Sequence, residues 1–198
     1  MERLVKLTIA ICREDWHGLR LLRQNAPPGE PNRAWREALL QSHLFAGFPA
    51  MVEACAVLEQ EGGLGKAEDD ETESLPLDPK RGRDLFDLIY EDAAPEVAGA
   101  LRTAHPEVLA MTLEHAYGRV LSRPGLAGAT RELLALGALA VGNQGRQLAS
   151  HARGARRLGA SLGSILAAVR LGAVALSTSD KEALLEIANR YGGPPQEE

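Results

Sequence analysis

Aromatic residues make up only 4% of this 198-residue chain, and there are only two cysteines. Each scarcity excludes something. Cys12 and Cys55 lie far apart and form neither a Cys-x-x-Cys pair nor a metal-ligand spacing. The alternation of Val, Ile, Thr and aromatic residues that marks strands is missing, while Ala, Leu and Gly are abundant, so an all-α fold is expected. No apolar run is long enough to cross a bilayer, since Ile165–Leu176 is short and interrupted by Arg170. Positive charge is not in excess: 22 Lys and Arg against 27 Asp and Glu give a net charge of −5, which argues against a general nucleic-acid binder. The opening MERLVKL carries charge at once and lacks the apolar core of a secretory signal. A soluble, cytoplasmic protein is expected, with neither nucleic acid nor membrane as partner.

What is present divides into three pieces. Residues 1–60 read as helices: Leu4–Cys12, a second capped by Asp15, and a third capped by Asn32 and running through Ala34–Leu58. Ala26-Pro27-Pro28-Gly29 stops the second, and Gly47-Phe48-Pro49 should kink the third. Residues 61–82, with clustered acids in KAEDDETES (Lys66–Ser74), read as an acidic flexible linker. Residues 83–198 read as further helices that pack with 1–60 as one domain. Pro106 suits a helix start, Ser122-Arg123-Pro124-Gly125 forces a turn, and Thr130 is placed to cap Arg131–Val141. Gly159 closes the helix bearing His151, Ser161 starts the next, and Ser179 with Glu182 forms a capping box for the last. An internal repeat shows when Arg3–Cys12 is laid over Arg131–Ala140 and Ala38–Gly47 over Ile165–Val174.

The phrases YGRVLSRPGL (Tyr117–Leu126), TRELLALGALA and QLASHARGARRLG (Gln147–Gly159) together resemble the core of the carboxymuconolactone decarboxylase family, which includes alkylhydroperoxidase D. AGFPA at Ala46–Ala50 resembles the phrase that ends the family's third core helix. The resemblance implies a duplicated, alkylhydroperoxidase D-like helical bundle, with residues 1–60 the degenerate first copy. It also implies a homo-oligomer, a trimer first and a dimer second.

Two chemistries follow from the resemblance. Alkylhydroperoxidase D uses a Cys-x-x-Cys pair followed by a histidine, and aligning on His151 puts Gln144 and Gln147 at the cysteine positions. The first copy offers Trp16, Leu19 and Arg23 there. Glutamine is no redox nucleophile, so a thiol peroxidase is disfavoured and peroxiredoxin activity is a family label only. Cys12 and Cys55 read as small core residues. The decarboxylase branch needs a proton donor and an anion-holding group instead. His151 matches its histidine and titrates near neutrality in its ordinary state.

Arg119, Arg123 and Arg153 are the candidate carboxylate holders, with Arg156 and Arg157 nearby, because a guanidinium fork donates two parallel hydrogen bonds. Tyr117 and Gln147 complete the expected substrate-binding set, Gln147 sharing the helix face of His151. Several family features are changed. Arg119 stands where an acid is common, Gln41 and Ala168 where a histidine is, and AVALS replaces AGFPA in the last copy.

The residues also admit plainer readings: His151 bonded to backbone or a carboxylate at a subunit contact, the arginines solvated or in ion pairs, and Tyr117 and His115 as packing residues. His105 reads as a helix-start residue, while His17 and His43 have no identifiable partner. No metal site and no cofactor are expected. The resemblance therefore leaves three functions: a decarboxylase-like lyase acting on a small carboxylated or lactone-like molecule, a non-catalytic scaffold or ligand-binding relative, or an alkylhydroperoxidase-type antioxidant.

Overall fold

A computed structural model describes residues 1–72 and 79–193, and among these every regular element is a helix. The first region holds α1 (Glu2–Cys12), α2 (Trp16–Gln24), α3 (Asn32–Gln60) and the single turn α4 (Asp69–Thr72). There follow α5 (Pro79–Tyr90), α6 (Ala94–Ala104) and α7 (Pro106–Ala110), the last continuing in wider π winding over Met111–Leu121. The chain ends in α8 (Gly128–Val141), α9 (Gly145–Arg157), α10 (Leu162–Gly172) and α11 (Thr178–Gly192). No helix among the described residues is long and apolar enough to cross a membrane.

Two helices are apolar nearly all round and so belong in the centre. Leu4–Ile11 of α1 is buried apart from Lys6, and in α8 every residue from Arg131 to Ala140 is buried. α1 packs on α3 and α8 on α10, while α1 also meets α8 and α10. Leu7, Ile11, Leu134, Leu136, Leu148 and Ile165 lie at the heart of this core. Gly172 permits a close approach of α10 to α8, for a Cβ there would stand 2.3 Å from the Gly137 carbonyl oxygen. A second cluster, Phe86, Ile89, Tyr117 and Leu121 among others, joins α5, α6 and the π segment.

Most breaks fall where proline, glycine and the caps place them. Gly47 adopts φ 81, open to glycine at little cost, and with Pro49 kinks α3 as expected. Asp15 and Ser161 accept the backbone N–H groups of Gly18 and Ser164. Other caps shift. Asn32 is already the first helical residue behind Pro31, and Thr130 lies inside α8, which starts at Gly128. Ser177, not Ser179, caps α11, because Ser177 keeps the extended backbone a cap needs.

The acidic segment departs from the flexible tether expected of 61–82. Glu68 and Asp70 sit 2.7 and 2.6 Å from the Arg33 guanidinium, and Glu71 receives two hydrogen bonds from Arg36, at 2.6 and 2.8 Å. Opposite charge on α3 thus holds the acids down, something composition alone does not reveal. Residues 79–82 are helical and belong to α5. Glu73–Asp78 lie outside the described residues.

Candidate functional site

The helix that carries His151 is placed by its neighbours. Leu148, Ala152 and Ala155 bury one stripe of α9 in the core, and α9 lies against α8 and α11. His151 sits at the margin of that stripe with 14% of its side chain exposed, and its Nδ1 is 2.7 Å from Oε2 of Glu132, itself 2% exposed. Glu132 is one of two charged residues near the start of otherwise apolar α8. Gly154 makes the room: a Cβ there would stand 2.9 Å from Glu132 Oε2.

A buried carboxylate facing one imidazole nitrogen sets the role of the other. Nδ1–H donates to Glu132, which leaves Nε2 as the basic atom, and no hydrogen-bonding partner engages Nε2 among the described residues. The Phe45 ring meets His151 edge-on, with centroids 6.2 Å apart. Phe45 also lines a cavity of about 320 Å³ together with Cys12, Leu44, Leu139, Gln144 and Gln147. The two glutamines at the expected cysteine positions therefore do border a cavity. Burial pushes the Cys12 thiol up to about 11.

The remaining candidates are not gathered at His151. No hydrogen bond, ion pair or ring contact joins Arg119, Arg123 or Arg153 to it among the described residues. Arg123 donates through Nε and Nη2 to Glu37, at 2.9 and 2.8 Å, and buried Arg131 reaches the same carboxylate at 2.7 Å. Gln41 closes this network by donating to the Arg131 carbonyl. Arg119 is exposed on the π segment, and its charge helps to hold down the pKa of His115, after burial and the neighbouring His43. Arg153 follows His151 by two residues, which on a helix is the far side. It stacks over Tyr191 at 4.6 Å. Tyr117 is buried beside Phe86 and Tyr90, and burial first, then the nearby Tyr90 and Glu132, raises its pKa well above the usual range. It is a neutral packing residue with a polar tip.

Sequence reasoning missed Glu132 and Glu37. The family's common acid falls in Gly118–Leu121, where this chain has Arg119, yet Glu132 is the lone acid of the apolar phrase TRELLALGALA. Glu37 gave no such signal, because α3 is mixed in polarity throughout.

Fold and site together define an all-α bundle with a buried carboxylate–imidazole pair between two core helices. Residues 106–190, from α7 into α11, match the model of the carboxymuconolactone decarboxylase family. Comparison with curated proteins gives no match.

Proposed function

We propose that Glu132 and His151 form a proton-transfer pair acting, in decarboxylase-like fashion, on a small carboxylated or lactone-like molecule. The observation that carries this reading is the 2.7 Å contact between Nδ1 and a buried carboxylate, with Nε2 left unengaged. In such a reaction the bond to the carboxylate breaks and carbon dioxide leaves. The electron pair passes into the conjugated lactone carbonyl, and Nε2, having first taken up a proton from water, gives that proton to carbon. Glu132 holds the imidazole in the required tautomer. Gln147, on the same face, offers an amide donor from the adjoining cavity. Thiol peroxidase chemistry is disfavoured on a second ground besides the missing pair. A thiol whose pKa is raised to about 11 holds little thiolate at neutral pH.

The chain is proposed to work as a homo-oligomer, a trimer before a dimer. Support comes from large apolar side chains left exposed, including Phe48 at 59% and Met111 at 63%. Light scattering on purified protein reads the mass directly, and a monomer at working concentration sinks this part.

The test of the chemistry is carbon dioxide release from a carboxylated muconolactone. His151→Gln should lower turnover by about a hundred- to ten-thousandfold, and Glu132→Gln by a smaller factor. Wild-type protein without activity, and a His151 ring that nitrogen NMR finds in the other tautomer, would leave a retained scaffold.

A further inference from the structure

A gap separates α6 from the pair α9 and α11. Helix α6 packs mainly on α5 and α7, and the space left over against α9 and α11 is a groove of about 680 Å³. Its floor is apolar, with Val97 and Leu101 from α6 and Ile187 from α11, and the alanines at 100, 104 and 149 keep it open. This size and lining suit a small organic ligand.

The charge around the groove is one-sided. Arg146 and Arg153 line it, and Arg153 lies 4.6 Å over the ring of Tyr191, which Arg190 also approaches at 5.4 Å. None of the three arginines has a carboxylate at ion-pair distance among the described residues. Glu96, on the α6 rim, is the one acid lining the groove, and it is exposed. A ligand's negative end is therefore drawn to the α9 and α11 side. The first turn of α9 opens there too, with no side-chain cap at Gln144, and adds its positive end.

We infer that this groove binds an amphipathic carboxylate, its apolar body against Val97, Leu101 and Ile187 and its carboxylate between Arg146 and Arg153. The guanidinium forks donate paired hydrogen bonds to the acid, and stacking on Tyr191 holds Arg153 in place to do so. The site is separate from the Glu132–His151 pair, since Arg153 lies on the far side of α9 from His151. It stands whether or not that pair is catalytic.

Titration calorimetry with octanoate tests the assignment, with octylammonium as a probe of the same body and opposite charge. Octanoate should bind and octylammonium should not. Arg153→Gln and Arg146→Gln should each weaken octanoate by about tenfold. Ala100→Phe, an exposed change that fills the groove, should abolish binding while the melting temperature holds. His151→Gln should leave binding unaltered. Equal binding of both probes, no binding of octanoate, or loss of binding in His151→Gln would each overturn the site.

Discussion

Gly154 and Glu132 are a fitted pair: a Cβ on residue 154 would lie 2.9 Å from Oε2 of Glu132, the oxygen that faces His151. A missing side chain on α9 thus admits a buried carboxylate from α8 beneath the histidine one turn back. This gives the first prediction. In an open helix, Gly→Ala stabilises by up to about 1 kcal/mol. Here Gly154→Ala should destabilise instead, by about 1–3 kcal/mol, because the carboxylate must shift or the helices part. Urea unfolding supplies the sign, and a stabilised variant would mean that Glu132 moves freely.

The network of Glu37, Arg123 and Arg131 should be among the most sensitive places in the chain. Glu37 and Arg131 are almost wholly inaccessible, at 0% and 1%. Removing the carboxylate leaves a buried guanidinium uncompensated. Glu37→Leu should cost about 3–5 kcal/mol, whereas exposed pairs such as Lys80–Asp84 should cost about 1 kcal/mol or less. Denaturant midpoints of the two sets of variants separate these outcomes.

Acid should release the segment around α4. The Arg36 hydrogen bonds hold the Glu71 carboxyl at about 2, below its ordinary 4.5, despite the opposing effect of burial. A lowered folded-state pKa contributes stability that is present above about 4.5 and is lost as pH falls towards about 2. Glu71→Gln should therefore be less stable than wild type at neutral pH, and the gap should close across that window. Thermal melts of both proteins from pH 6 downwards, in steps of about one unit, measure it. A gap independent of pH would sink the assignment.

His115 acts in the same direction at higher pH. Burial, then His43 with its Nε2 2.8 Å from Nε2 of His115, then Arg119, push the His115 pKa below 6.5. The unfolded chain then takes up this proton first, so stability is lost as pH falls below about 6.5. His115→Gln should flatten the stability profile just under that value. An unchanged profile would show that the imidazole pair separates in solution.

The order of helices and several of their ends were legible because local rules govern them. Proline and glycine at Pro27–Gly29 and Gly47–Pro49, the cap at Asp15 and the all-round apolarity of α1 and α8 act within a few residues. The shifted cap at Ser177 shows the limit: two serines two residues apart compete, and only the backbone angle decides. His151 was legible as a candidate because its helix phrase is distinctive. Its partner Glu132 was not, because it comes from another helix, while Arg153, near it in sequence, turns the other way.

The sequence by itself determined the all-α class, the likeness of residues 106–190 to a known family and the absence of the cysteine pair, since each is written in residue type and short-range period. Only the tertiary structure decided which charges meet. Glu132 reaches His151 across 19 residues, Glu37 reaches Arg123 across 86, and Arg33 and Arg36 capture the acidic segment. Such pairings depend on how helices rotate and cross once their apolar faces are buried, and no local pattern carries that rotation.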